Sequence, residues 1–266
     1  MSTTKFFALV TGASSGIGFE LARQLAERGY DLVISAEDDT RLQHAAEQIR
    51  AVGAQVEVIR ADLRDHEQTE TLFARATSLG RPLDVVVLNA GVARGGAFVD
   101  TSLTDELEII DLNIRSTVHL AKLVLRDMTA RDTGRVMITS STASAMPGAF
   151  NSVYNASKSF LQSFAQALQN EVKDSSVTVT SLMPGPTETD IFRRAGMDDT
   201  RVGRMDKDDP AQVAHQGLEA LFAGKDKTVA GSVKTKAQAV ANKVLPDSIK
   251  AKVHRKMAEP DSDAEG

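Results

Sequence analysis

The sequence of 266 residues contains no cysteine and no tryptophan. The absence of cysteine excludes a disulfide scaffold, a thiolate nucleophile, a cysteine-ligated zinc site and an iron–sulfur cluster. Basic residues are not in excess either, since 31 Lys and Arg stand against 36 Asp and Glu, which argues against a nucleic-acid binder. No apolar run reaches the roughly 18–20 residues of a membrane span, and the apolar start at residues 5–10 is too short for a signal peptide. We therefore expect a cytoplasmic protein that associates with neither nucleic acid nor membrane.

Short β-branched segments alternate along the chain with longer segments of helical periodicity. This alternation predicts an α/β fold, a Rossmann-type doubly wound parallel sheet of about seven strands with helices on both faces. Strands are predicted at residues 6–10, 32–35, 56–60, 83–88, 135–140 and 177–182, with a weaker one at 228–230. Helices are predicted at residues 16–28, 40–51, 66–78, 105–130, 152–172 and 210–222.

A glycine-rich turn, Thr11-Gly12-Ala13-Ser14-Ser15-Gly16-Ile17-Gly18, follows the first predicted strand and opens the first helix. Gly12 permits a tight exit from the strand, Gly16 lets a pyrophosphate approach the backbone, and Gly18 lets the helix pack closely on the sheet. The free N–H groups and the partial positive charge of a helix N-terminus suit phosphate groups. The turn therefore predicts a dinucleotide site.

Four further motifs follow the glycine turn in order. They are Asn89-Ala90-Gly91 after the fourth strand, Asn113 within a helix, Ser141 with Tyr154-Asn155-Ala156-Ser157-Lys158, and Pro184-Gly185-Pro186-Thr187 after the sixth strand. Together with Thr-Gly-x-x-x-Gly-Ile-Gly they resemble the short-chain dehydrogenase/reductase family over roughly residues 5–230. The resemblance implies an enzyme that moves a hydride between a nicotinamide cofactor and a carbonyl or secondary alcohol.

The resemblance implies a catalytic set of Asn113, Ser141, Tyr154 and Lys158. Tyr154 and Lys158 are one helical turn apart, so an ammonium can lower the pKa of a phenol that acts as general acid and base. Ser141 is expected to donate to the substrate oxygen, and Asn113 to hold a water that relays protons from Lys158. The alternative is a non-catalytic NAD(P)-binding regulator that senses redox state, for which a broken Ser, Tyr, Lys set would be typical.

The cofactor contacts implied by the resemblance lie in the glycine turn and at the carboxyl ends of the predicted strands. They are Gly12, Ser14, Ser15, Gly16, Ile17, Gly18, Glu37, Asp62, Leu63, Asn89, Ala90, Gly91, Tyr154, Lys158, Pro184, Gly185, Thr187 and Thr189. Glu37 can bind the adenosine ribose hydroxyls and would repel a 2′-phosphate, which favours NAD over NADP. Ala36 stands where NAD-using members usually carry Asp, and Arg41 or Arg64 could still reach a phosphate.

The substrate pocket is expected to be mainly apolar, with a hydrophobic ketone, aldehyde or secondary alcohol as the substrate. Its predicted residues are Ser141, Met146, Phe150, Tyr154, Ile191 and Phe192. The alternative is an acidic substrate received by Arg94, Arg193 and Arg194. The histidines show no metal-ligand spacing such as H-E-x-x-H, so no metal site is expected.

No linker or repeat divides the chain, so residues 1–232 are predicted to form one dinucleotide-binding catalytic domain that includes a substrate loop at 190–209. Residues 233–257 are predicted to be a basic helical extension of the same domain, since residues 234–256 carry seven Lys and Arg and one Asp. Packing or closure over the substrate ranks first among its roles, before a solvated helix and a membrane contact. Residues 258–266 are predicted to be a disordered acidic tail. The resemblance also implies a homodimer or homotetramer formed through residues 105–130 and 152–172.

Overall fold

The computed structural model describes residues 5–260 of the chain, apart from the side chains of residues 243 and 244. Seven parallel strands form one sheet in the order β3-β2-β1-β4-β5-β6-β7. The strands are β1 (Phe7–Thr11), β2 (Asp31–Ala36), β3 (Val56–Arg60), β4 (Val85–Leu88), β5 (Gly134–Thr139), β6 (Val177–Pro184) and β7 (Lys227–Ala230). The strand order reverses between β1 and β4, and such a reversal opens a crevice at the carboxyl ends of the strands. The predicted doubly wound α/β fold is confirmed.

Helices cover both faces of the sheet. They are α1 (Gly16–Glu27), α2 (Asp39–Arg50), α3 (His66–Thr77), α4 (Leu103–Ile109), α5 (Ser116–Ala130), α6 (Ser152–Glu171), α7 (Ile191–Arg194), α8 (Arg201–Arg204), α9 (Pro210–Phe222), α10 (Val233–Val244) and α11 (Asp247–Ala258). One apolar core lies between the sheet and α1, α2 and α9, and a second lies between the sheet and α3, α5 and α6. The strands are apolar on both faces because each face meets a helix layer.

The single helix predicted over residues 105–130 is interrupted in the structure. A π-helical turn, Ile110–Arg115, separates α4 from α5 and holds the fully buried Asn113. A π-turn inserts one extra residue, which changes the spacing of apolar residues very little, so periodicity alone did not reveal it. The interruption matters because the Asn113 amide faces the loop that follows β4, where it bonds with the backbone of Val92.

The segment at residues 190–209, predicted to be irregular, contains the two short helices α7 and α8. Beyond β7 the chain forms α10 and α11, and α11 continues through the buried Ala258 into the segment predicted to be a tail. Pro260 forms an isolated bridge with Thr200 of that same 190–209 segment. Residues 261–266 of the predicted tail lie outside the described residues. Within residues 5–260, no helix is both long and apolar enough to cross a membrane.

Candidate active site

The glycine turn between β1 and α1 forms one end of a large cavity at the carboxyl edge of the sheet. Gly12 and Gly16 both have positive φ, at 66° and 56°, in the region that L side chains rarely adopt. A Cβ on Gly18 would lie 2.2 Å from the Gly12 carbonyl oxygen, so only glycine lets α1 start this close to β1. No side chain caps the N-terminus of α1, and its first N–H groups have no partner within the helix. This turn therefore suits the pyrophosphate that the sequence predicted.

Asn89 holds the ends of three strands together beside this turn. Its backbone N–H and that of Ala90 donate to Thr11 Oγ1 at 3.0 and 3.2 Å. Its side-chain amide donates to the Thr11 carbonyl at 3.2 Å and accepts from Thr139 Oγ1 at 3.1 Å. With both ends of the amide used inside the protein, Asn89 fixes the shape of the cavity floor.

Tyr154 lies in the first turn of α6, and Ser141 lies just after β5, where its Oγ accepts from Ala143 N at 3.1 Å. The Ser141 hydroxyl lies close enough to the Tyr154 phenol to lower its pKa, and Ser141 Oγ also donates to the Pro184 carbonyl at 3.4 Å. Both line the cavity, so a substrate oxygen placed between them could bind both hydroxyl groups. Two hydroxyl groups that face one cavity in this way can serve general acid–base catalysis on a carbonyl or alcohol oxygen.

Lys158 follows Tyr154 by one turn of α6, and its Nζ lies 5.7 Å from the centre of the Tyr154 ring. The ammonium donates to the Thr139 carbonyl at 3.0 Å and is almost fully buried. Asn113 lies behind this group rather than in the cavity wall, and its amide bonds the backbone of Val92 and Ser157 Oγ. Thr139 and Ser157 were not predicted as site residues, because no sequence motif marks a backbone carbonyl or a helical serine.

Burial shifts the pKa values of the two titratable groups in opposite directions. Burial raises the pKa of Tyr154 to about 12, although the neighbouring Ser141 hydroxyl acts to lower it. Burial lowers the pKa of Lys158 to about 8. In each case the low-dielectric site disfavours the charged form. A positive charge placed beside the phenol would favour the phenolate and reverse part of its shift.

The far end of the cavity, away from Tyr154, carries a cluster of charges. Glu37 and Asp62 both line it, and Arg64 bonds Glu37 Oε2 at 2.6 Å and Asp62 Oδ1 at 2.9 Å. A third carboxylate, Glu108, lies 3.4 Å from Arg64. The hydrogen bond from Arg64 holds the pKa of Asp62 below its usual range. Arg41 bonds Asp190 at 2.6 Å.

The opposite side of the cavity is mainly apolar. Met146, Ile191 and Phe192 line it as predicted, but Phe150 does not. Phe150 has φ of +62°, and the chain turns there so that its ring lies 5.4 Å from the Arg255 guanidinium. The wall is completed by residues of the predicted substrate loop at 190–209 and of the two C-terminal helices, for which packing or closure over the substrate was the first-ranked role. They include Met197, Val202, Met205, Thr235, Gln238, Asn242, Val253, His254 and Met257.

One cavity thus contains every predicted cofactor residue and all the predicted catalytic residues except Asn113. The two glycines with positive φ, the uncapped start of α1 and the carboxylates at the far end fit a nicotinamide dinucleotide in one orientation. Phosphates would lie at α1, the adenosine ribose at Glu37, and the nicotinamide near Tyr154 and Lys158. Ser141 and Tyr154 would then face the apolar wall across the nicotinamide position.

Known proteins resemble the chain over most of its length. The short chain dehydrogenase family model matches residues 7–200. UcpA, an oxidoreductase of Salmonella typhimurium, is 31% identical over 80% of this chain and 79% of its own length. The ketoacyl reductase HetN of a Nostoc species is 32% identical over 66% of this chain, and the match spans only 62% of HetN. A short-chain dehydrogenase from Sphingobium yanoikuyae, solved in complex with NADPH, superposes with a TM-score of 0.80 at 29% identity and covers 90% of this chain and 93% of its own.

Proposed function

The chain belongs to the short-chain dehydrogenase/reductase family, and from this premise we propose that it interconverts an apolar ketone or aldehyde and the matching alcohol. The family establishes the reaction class: the chain is an oxidoreductase that transfers a hydride between a nicotinamide cofactor and a carbonyl/alcohol pair. The observation that supports the rest of the proposal is the placement of Ser141 and Tyr154 in one cavity, between the glycine turn and an apolar wall, with Lys158 one helical turn from Tyr154.

Four residues have distinct roles in the proposed reaction. When bound, the nicotinamide would supply or accept the hydride. Tyr154 gives its hydroxyl proton to the carbonyl oxygen in reduction and takes a proton from the alcohol in oxidation. Ser141 donates a hydrogen bond to that oxygen as negative charge develops on it. Lys158 favours the phenolate of Tyr154 through its charge, and Asn113 fixes the backbone at Val92 beside the cavity.

The charges at the adenosine end favour NAD over NADP. Of the two arginines that could reach a 2′-phosphate, Arg64 is surrounded by three carboxylates and Arg41 is bonded to Asp190. A phosphate at this place would meet the carboxylates of Glu37 and Asp62, which favours the unphosphorylated cofactor. The nearby cation that could still contact a phosphate is Arg60, whose Nε donates to the Glu37 carbonyl at 3.0 Å. The Sphingobium protein carries NADPH, so the preference rests on the charges of this chain alone.

The wall opposite Tyr154 supports a neutral, hydrophobic substrate. Of the three arginines that could bind an acidic substrate, Arg94 pairs with Asp105 at 3.3 Å and Arg193 pairs with Asp190 at 3.2 Å. Only Arg194 lines the cavity, and Asp190 lies 3.7 Å from it. The name of HetN suggests ketoacyl compounds as one chemical class to include among the candidate substrates.

A panel of ketones, aldehydes, ketoacids and ketoacyl thioesters, followed by nicotinamide absorbance with NADH and NADPH at equal concentrations, tests the proposal. We expect turnover of apolar carbonyls and a higher kcat/KM with NADH. A strong NADPH preference would overturn the cofactor assignment, and a preference for ketoacids would overturn the neutral pocket. Tight cofactor binding without turnover of any carbonyl would instead support the redox-sensing regulator.

Glu37→Gln gives a sharper test of the cofactor assignment, because it removes the negative charge at nearly constant volume. We expect kcat/KM with NADPH to rise relative to NADH by about 10-fold, since one charge interaction near a protein surface amounts to roughly 1–4 kcal/mol. Glu47→Gln, on the exposed face of α2, is the matched control and should leave the ratio unchanged. An unchanged ratio in both variants would remove Glu37 from the ribose site.

We also propose that two copies associate through α4 and α6. These two helices contact each other, and apolar side chains are exposed on and beside them. The exposed residues are Phe98, Val99, Leu103, Leu107, Ile110 and Phe160. An apolar surface of this kind is typical of an interface between subunits.

A cytoplasmic location stays a prediction from the composition of the sequence.

A further inference from the structure

Two histidines and a glutamate meet on the surface formed by α3 and α5, outside the cofactor cavity. His66 and Glu70 lie one turn apart on α3, and His119 lies on the adjoining α5. One ligand atom from each residue lies within 4.8 Å of those of the other two. None of the three lines the cofactor cavity, and the proposed reaction uses none of them. We propose that His66, Glu70 and His119 form a binding site for a zinc ion.

The ligand types and their contacts fit zinc. Two imidazole nitrogens and a carboxylate oxygen are typical zinc ligands, with water as the fourth ligand in an open tetrahedral site. His119 Nε2 already lies 2.6 Å from Glu70 Oε1, and the rings of His66 and His119 are stacked with centroids 4.3 Å apart. Because the two rings are nearly parallel, at 12°, a common ion requires a rotation of one ring. His66 is exposed, so its ring has room to rotate.

The site has one anchored ligand and two adaptable ones. The side chain of His119 is 16% exposed and is held against the packed helices, whereas the carboxylate of Glu70 is 49% exposed. An ion bound here would link α3 to α5, and it would do so beside the loop that leads from Asp62 to α3. Thr69 Oγ1 bonds the Leu63 carbonyl at 3.3 Å, so this loop is already attached to α3. Zinc binding should therefore raise the thermal stability of the chain.

Isothermal titration of the full chain without a polyhistidine tag, with zinc chloride as the probe, tests the site. Loss of a residue that only contacts a metal ligand costs about 10–100-fold in metal affinity. His119 is proposed as a direct ligand, so we expect His119→Ala to weaken zinc binding by roughly 100-fold or more. Glu70→Gln, which changes an exposed side chain, keeps the test valid if His119→Ala folds poorly. His44→Ala is the matched control, since His44 on α2 has Glu47 4.0 Å away but no second histidine.

The proposal predicts one saturable zinc equivalent in the wild type and in His44→Ala, and its loss in His119→Ala and Glu70→Gln. It also predicts that zinc raises the melting temperature of the wild type but not of Glu70→Gln. An anomalous diffraction peak between α3 and α5 would locate the ion directly. The proposal is overturned if no saturable binding occurs. It is equally overturned if both ligand variants bind zinc as the wild type does, because the ion would then lie elsewhere.

Discussion

At the scale of single residues, the proposed chemistry depends on the hydroxyl group of Tyr154. Tyr154→Phe removes that group and keeps the ring packed, so we expect kcat to fall by about 10²–10⁴-fold while cofactor affinity is preserved. Steady-state kinetics and cofactor titration measure the two effects separately. Tyr30→Phe is the matched control, because Tyr30, the other tyrosine of the two, packs against Phe6 and Phe222. Full turnover by Tyr154→Phe would exclude the phenol as acid or base.

Lys158 makes stability depend on pH in a defined direction. Its pKa in the folded chain is about 8, whereas an exposed lysine stays protonated to a pKa of 10.5. Between these values the unfolded chain binds the proton and the folded chain does not, so the free energy of unfolding rises with pH. Below about pH 8 the buried ammonium costs stability. Relative to Lys158→Met, the wild type should gain up to about 3 kcal/mol as pH rises through this window.

Urea unfolding of the wild type and Lys158→Met at pH 7.5 and pH 9.5 should show about 2 kcal/mol of this gain, because the measured range ends below the unfolded pKa of 10.5. We choose pH 9.5 as the upper limit because of Tyr154, whose pKa burial raises to about 12. At higher pH the tyrosine of the unfolded chain ionises first, so the free energy of unfolding would fall with pH instead of rising. The subtraction cancels groups that titrate alike in both proteins. A difference that is constant with pH would mean that Lys158 keeps an ordinary pKa in the folded chain.

At the scale of elements, α11 is part of the apolar cavity wall, where we propose that the substrate binds. His254 Nδ1 donates to the Ala149 carbonyl at 3.0 Å, and Nε2 lies 3.2 Å from the amide of Asn155, the neighbour of Tyr154. These contacts fix α11 against the loop between Ser141 and Tyr154. We expect His254→Ala to raise KM for a bulky apolar ketone about 10-fold, because two hydrogen bonds of roughly 1 kcal/mol each are lost. We expect little change in kcat.

Kinetics with a large and a small ketone separate this role from a general loss of stability. Val253 and Met257 of α11 line the cavity. The effect on KM should be larger for the large ketone, because a small ketone held at Tyr154 would not extend to these residues. Lys252→Ala changes an exposed residue of the same helix and should leave both KM values unaltered. Equal KM values in the wild type and His254→Ala would show that α11 does not hold the pocket. The basic composition of this segment gave no indication of His254.

At the scale of the whole molecule, the proposed association through α4 and α6 predicts a multimer in solution. Leu107 is 49% exposed on α4, and Leu107→Glu would place a charge in the apolar interface. We expect light scattering to show a dimer or tetramer for the wild type and a shift toward monomer for Leu107→Glu. Val233→Glu, at an 84% exposed position on α10, is the matched control. A monomeric wild type would refute the association.

The sequence by itself determined the fold and the central chemistry, because both depend on local patterns. Alternating periodicities specified the layers, and the glycine turn and the Tyr-x-x-x-Lys spacing act within one turn or one helix. Tertiary structure alone decided what depends on distant segments. Three contacts between distant segments show this. Arg64 pairs with Glu37, His254 reaches the apolar cavity wall, and His119 lies beside His66 and Glu70. The spacing of residues along the chain carries no signal for such contacts, since packing between elements sets their distances.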